Sequence, residues 1–121
     1  MPIRTGSCHC GAVEFEVEVE NDFVGVSHCD CSYCRRKSAY IATARLDQLR
    51  ITKGAEHLSL YQWGTKTAKH YFCKICGIYT HHQRRSNPNE FGFNIACIEG
   101  VNPFDYGPVK IHDGVNHPSD K

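Results

Sequence analysis

The sequence lacks any long apolar run. No stretch approaches the ~20 residues that a membrane-spanning helix needs, and the amino-terminal MPIRTGSCHC has no apolar segment of the signal-peptide kind. The expectation is therefore a cytoplasmic protein that does not enter a membrane. Charge of one sign is also lacking: 14 Lys and Arg stand against 13 Asp and Glu, for a formal charge of +1. That balance supplies no global field to draw nucleic acid or an anionic membrane, so neither partner is expected. Repeats, low-complexity tracts and Pro/Gly/Ser-rich linkers are missing too. A chain of 121 residues without such breaks is expected to form a single domain, residues 1–121, around one core.

What is there begins with a strand pattern. Val13, Phe15, Val17 and Val19 alternate with four glutamates through Glu20, the period of a half-buried strand. Further strands are expected at Phe23–His28, Leu49–Lys53, Leu58–Gln62, Lys69–Cys73, Ile78–His82 and Phe91–Ile95. Gly54, Gly64, Gly77 and the stretch Ser86–Asn89 are turn signals between them. A helical turn or two is expected near Cys31–Lys37, and Ala42–Gln48 fits either state. Many short strands with frequent turns indicate a mainly β domain.

The chain is rich in one residue, cysteine, with eight. They fall into Cys8-His9-Cys10, then Cys29, Cys31 and Cys34 as CxCxxC, then Cys73 and Cys76 as CxxCG, and a lone Cys97. Outside an oxidising compartment such spacings read as metal binding. A structural zinc wants four thiolates about 2.3 Å from the ion, and local pairs supply them at low entropic cost. The glycine after Cys76 suits a knuckle whose backbone must turn its amides toward sulfur. Cys29, Cys31 and Cys34 are compact enough to clasp one ion alone. Cys8 and Cys10 are then left to join Cys73 and Cys76 in a Cys₄ site that ties the amino-terminal strand to a later hairpin. The three-thiolate site keeps an unfilled position, as where an exogenous ligand binds. Three other readings stand beside this one: a disulfide framework, a single zinc with three unrelated cysteines, and a Cys₃ site closed by His28, His70, His81 or His82. Cys97 reads as a small buried apolar residue within a strand-like Asn94–Ile98.

These groups, in this order, resemble the glutathione-dependent formaldehyde-activating enzyme family, whose members include S-(hydroxymethyl)glutathione synthase. The resemblance runs from about Ser7 to Glu99. It rests on CHCGAVEFEV at Cys8–Val17, HCDCSYCRRKSA at His28–Ala39, ITKGAEHLSLY at Ile51–Tyr61 and YFCKICGIYT at Tyr71–Thr80. KGAEH and the RSNP at Arg85–Pro88 resemble the branch that includes centromere protein V. The resemblance implies an Mss4-like fold of several small antiparallel sheets stapled by zinc, with two Zn²⁺ per chain. It implies Cys8, Cys10, Cys73 and Cys76 as structural zinc ligands, and Cys29, Cys31 and Cys34 as catalytic zinc ligands. The implied activity is that of a carbon–sulfur lyase or synthase acting on a thiol such as glutathione and an aldehyde such as formaldehyde. The chain departs from the family pattern at Ala39, where many members have glycine after the serine, and at Ile78, where many have a small polar residue.

Three thiolates and a fourth anionic ligand around Zn²⁺ leave a formal charge of about −2. Arg35, Arg36 and Lys37 follow the cluster and could offset it, or hold the carboxylates of a glutathione-like substrate. Tyr33 and the histidines are candidate proton-transfer groups. The alternative function is a zinc-stabilised binding module without turnover, its basic patch formed by Arg84, Arg85 and Arg35–Lys37.

Overall fold

The structure, a computed structural model, describes residues 2–19, 23, 26–85 and 87–113. Glu20, Val24, Gly25 and Ser86, which belong to the expected first and second strands and to an expected turn, lie outside the described residues. In chain order the strands are β1 (Ile3–Ser7), β2 (Glu14–Glu18), β3 (Ser27–Cys29), β4 (Ile41–Arg45) and β5 (Leu49–Lys53). Then follow β6 (Leu58–Tyr61), β7 (Lys69–Cys73), β8 (Tyr79–Gln83), β9 (Glu90–Asn94) and β10 (Lys110–His112). One short helix, α1 (Cys34–Lys37), stands between β3 and β4.

The valine–glutamate alternation does what its period demands. Val13, Phe15 and Val17 are fully buried while Glu14, Glu16 and Glu18 keep access to water. The outward glutamates pair across to β5, Glu14 with Lys53 and Glu18 with Arg50, both at 3.4 Å. The small sheet, in the order β1-β2-β5, is antiparallel throughout. Its buried residues join Ala42, Ala44 and Phe93 of the larger sheet, and Ile95 just beyond β9, in one core cluster. Burying each such side chain contributes roughly 1.5–3 kcal/mol, so truncating Phe15, at 0% exposure, removes a central support.

The larger sheet has seven strands in the order β10-β3-β4-β9-β8-β7-β6. The mainly β expectation therefore holds. In place of several small antiparallel sheets, the described residues form one small sheet and one wide sheet, the latter mixed because β10 runs parallel to β3. Hairpins force antiparallel neighbours; a strand arriving from far along the chain is under no such constraint. The segment Ala42–Gln48 resolves into the end of β4 and a 3₁₀ turn at Leu46–Gln48. β1 and β10 carry no strong alternation and escape a periodicity reading. Among the described residues, no helix is long and apolar enough to cross a membrane.

Candidate functional site

Two clusters of sulfur form where strands end. Cys8 and Cys10 lie in the turn from β1 to β2, and Cys73 and Cys76 lie at the end of β7 and in the turn to β8. The four sulfurs are all within 4.8 Å of one another, with Cys10 3.6 Å from Cys8 and 3.7 Å from Cys73. Ligands 2.3 Å from a tetrahedral centre are separated by about 3.8 Å, so the spacing suits one ion. Backbone N–H groups already point at the sulfurs, from Val13 to Cys8 and from Ile75 to Cys73, each at 3.4 Å. Gly77 has φ +81°, the left-handed conformation that closes the knuckle on Cys73. The cluster draws on both sheets, and Cys8, Val13 and Cys73 form a second small core there.

Cys29, Cys31 and Cys34 make the second cluster, again with all sulfurs within 4.8 Å. They come from the end of β3, the following turn and the start of α1. Cys31 Sγ accepts the Cys34 N–H at 3.2 Å, so a sulfur caps the helix where Tyr33 offers no side-chain bond. Hydrogen bonds from Cys29 and Cys34 hold the Cys31 thiol well below its usual range, and the same sharing with Cys29 and Cys31 pushes Cys34 up. Such crowding of thiols is relieved when a cation takes the place of the shared protons. Both donor sets therefore fit a soft divalent ion such as zinc.

The three-thiol cluster lies in the wall of a cavity of about 400 Å³. Among the described residues, no histidine nitrogen joins it within that 4.8 Å spacing. His28, His70 and His82 line the cavity; His81 does not. His28 donates from Nδ1 to the Ala39 carbonyl at 3.0 Å. Burial pushes His70 down to about 4, and its Nδ1 is buried without a hydrogen-bond partner. His81 packs against Tyr71 and Phe91 on the far side, meets Thr80 Oγ1 at 2.8 Å, and is likewise pushed down to about 4 by burial.

The basic run after Cys34 divides. Arg35 and Arg36 are exposed, whereas Lys37 turns inward with Nζ 3.7 Å from the Tyr79 ring centroid and 4.8 Å from that of Tyr33. Its Nζ is buried without a hydrogen-bond partner. Burial lowers its pKa, and the thiolate field of Cys34, then Cys31 and Cys29, opposes that loss of charge. Arg84 and Arg85 line the cavity with the thiols rather than joining a patch on Arg35 and Arg36. Arg84 is paired with Glu90 at 2.6 Å, and Arg85 lies 6.0 Å over the Trp63 ring.

Ala39 and Ile78 both line a second cavity, with Lys37, Tyr33 and Tyr79. Ala39 is not among the residues of positive φ; Ser38 takes that conformation, at φ 51°. Alanine at 39 thus imposes no backbone strain. Cys97 corrects its sequence reading: it is half-buried in a 3₁₀ turn, Ile95–Cys97, and not in a strand. Its sulfur donates to the Tyr79 carbonyl at 3.6 Å, and burial pushes its thiol up to about 12, which makes it a poor nucleophile.

Trp63, Thr65 and Asp113 line the cavity although no sequence motif marks them. The single tryptophan was the one available signal, since a large aromatic in a Gly- and Thr-rich loop is more useful at a site than in water. Comparison with known proteins bears on all of this. A family model described as glutathione-dependent formaldehyde-activating enzyme matches residues 3–110. A Halomonas elongata protein named as a candidate enzyme of that kind is 36% identical over 59% of this chain, which spans about half (50%) of that relative's length. A crystal structure of a Rhodobacter sphaeroides protein is 64% identical, with a TM-score of 0.85 over 88% of this chain and 98% of that one.

Proposed function

The chain belongs to the glutathione-dependent formaldehyde-activating enzyme family, and from that premise we propose that it is a zinc-dependent carbon–sulfur lyase or synthase. It acts on a glutathione-like thiol and a formaldehyde-like aldehyde, joining them or releasing them from their adduct. In this reading residues 1–121 are one domain, cytoplasmic, carrying two Zn²⁺. Cys8, Cys10, Cys73 and Cys76 hold the structural ion, and Cys29, Cys31 and Cys34 hold the catalytic one.

One observation carries the proposal: three convergent thiols in a cavity wall that no histidine closes among the described residues. A zinc ion bound there supplies Lewis acidity, which lowers the pKa of a substrate thiol. The protein's own groups do the rest. Lys37, behind the cluster, offsets its negative charge from inside, where low dielectric makes a cation count for more than on the surface. Arg85, which lines the same cavity, is a partner for a carboxylate of a peptide thiol, while Arg84 is held by Glu90 at 2.6 Å. Trp63 gives an apolar flank for the peptide's methylene groups and helps to exclude water.

The test is a cobalt-substituted protein titrated with glutathione and then formaldehyde. Glutathione is expected to shift the ligand-to-metal spectrum, and formaldehyde to shift it again. An unchanged spectrum with two metals bound sinks the thiol–aldehyde reading and leaves a zinc-stabilised binding module.

A further inference from the structure

Adding a thiol to an aldehyde leaves one proton to be handled. Sulfur loses it as the S–C bond forms, and the former carbonyl oxygen gains it. The cluster sulfurs are committed to the metal in the proposed function, so another group must carry this proton. Among the described residues four imidazoles reach the cavity, those of His28, His70, His82 and His112. The fold treats one of them differently.

His82 on β8 lies directly opposite Gly92 on β9. A Cβ at Gly92 would stand 2.4 Å from His82 Cε1, 2.9 Å from Nε2 and 3.0 Å from Nδ1. No side chain larger than hydrogen can occupy that position without moving the ring. Glycine in mid-strand weakens a sheet, and here it makes a seat for an imidazole. Around the seat, the His70 ring stacks at 5.3 Å and Tyr79 Oη lies 2.6 Å from His82 Nδ1.

Tyr79 Oη has a second acceptor, the Gly92 carbonyl at 3.4 Å. Two arrangements of protons then fit the same atoms. With its proton on Nε2, His82 accepts from Tyr79 at Nδ1. With its proton on Nδ1, His82 donates to Tyr79 Oη, whose own proton turns to the Gly92 carbonyl. An imidazolium uses the second arrangement and presents Nε2–H. A proton can therefore reach or leave Nε2 with the ring held still.

We propose that His82 is the proton-transfer residue of the cavity and Tyr79 its positioning residue. The proposal rests on the thiol–aldehyde reading given above. In the forward direction His82 Nε2 takes the thiol proton, the sulfur electron pair forms a bond to the carbonyl carbon, and the carbon–oxygen π pair moves to oxygen. That oxygen then takes the proton from Nε2, and the imidazole is neutral again. Cleavage of the adduct is the same sequence reversed. Burial holds His82 well below its usual range, and Lys37, His70, Arg84 and His81 all push the same way, so it begins each cycle neutral.

The test uses the full chain loaded with zinc, and reads the rate by exchange NMR between glutathione and its hydroxymethyl adduct at equilibrium. His82→Gln is expected to slow the protein-accelerated exchange by about 10²-fold or more, while glutathione still shifts the cobalt spectrum. Tyr79→Phe is expected to slow it about tenfold and to change the tautomer balance of His82 in nitrogen NMR spectra, which a merely structural role would not do. Wild-type exchange in His82→Gln with an intact spectral response overturns the role of His82 alone. No spectral response in the wild type overturns the thiol–aldehyde reading and this proposal with it. Should His82→Gln not fold, a wild-type rate and unchanged tautomer signals in Tyr79→Phe overturn the proposal equally.

Discussion

The two sulfur clusters use the same ligand chemistry and differ in how far apart their members lie along the chain. Cys8 and Cys10 are more than sixty residues from Cys73 and Cys76, and they belong to different sheets. Cys29, Cys31 and Cys34 lie within six residues, at the end of β3, in the following turn and at the start of one short helix. A metal at the first cluster would close a long loop and join two sheets around Cys8, Val13 and Cys73. At the second it would close almost nothing and would face a cavity. A ligand set distant in sequence is positioned to stabilise, and a local one to react.

That contrast fails or holds on a graded series of changes. The largest effect is expected for Cys73→Ser, a position with 0% exposure. It should remove several kcal/mol, enough to unfold a domain of ordinary stability, as read by thermal melting. A melting point within a few degrees of wild type would break the comparison.

Cys31→Ser should leave the fold in place while metal content drops from two ions to about one and the glutathione response disappears. Metal analysis and circular dichroism check this together, and loss of both ions would show that the sites are not separable. Next in size is Gly92→Ala, whose Cβ would meet His82 at 2.4 Å. Overpacking of this kind costs about 1–3 kcal/mol. It should damage the cavity and slow exchange while leaving the four-thiol site loaded, as denaturant melts and metal counts would show.

A smaller effect is expected from His81, which touches neither cluster. Folded, it titrates at about 4, below the value near 6.5 of an unfolded histidine. Between those values the unfolded chain binds the extra proton, so stability is full above about pH 7 and falls as pH drops toward 4. His81→Gln should remove roughly 1–2 kcal/mol of that acid loss at pH 5, measured as the difference in urea midpoint from wild type. Equal pH dependence in both proteins would assign the loss to the other buried histidines, His70 and His82, instead. Smallest is the separation of Lys37 from its neighbour. Lys37→Met should weaken glutathione binding about tenfold, and Arg35→Ala should change neither binding nor stability by more than about 0.5 kcal/mol. Equal effects would mean that the inward turn of Lys37 has no consequence.

Much of the frame was legible in particular residues. Val13, Phe15 and Val17 announced a strand because alternation has only one geometric meaning, and Leu49–Lys53 and Lys69–Cys73 match β5 and β7 residue for residue. Gly77 was read as the permissive position of a knuckle, and its φ is +81°. Cys97 was misplaced because apolar residues flank it on both sides, a pattern shared by a strand and a buried 3₁₀ turn. β1 and β10 were missed because their residues alternate weakly; neighbouring strands recruit them by hydrogen bonds that leave no mark on composition.

The sequence by itself determined the mainly β character and the family, and it favoured a grouping of seven cysteines into four and three that the structure brings together. The alternation and the close spacing within CxC, CxCxxC and CxxC are local, and covalent geometry converts them directly into strand face or ligand distance; the meeting of Cys8 and Cys10 with Cys73 and Cys76 follows from counting the ligands left over. Only the tertiary structure decided that His81 turns away from the cavity and His82 into it, though they are adjacent in the chain. It also decided that Lys37 points inward while Arg35 and Arg36 face water, and that Gly92 is empty because an imidazole needs the room. Those choices depend on what the opposite strand offers, and that partner is set by a sheet order no single segment encodes.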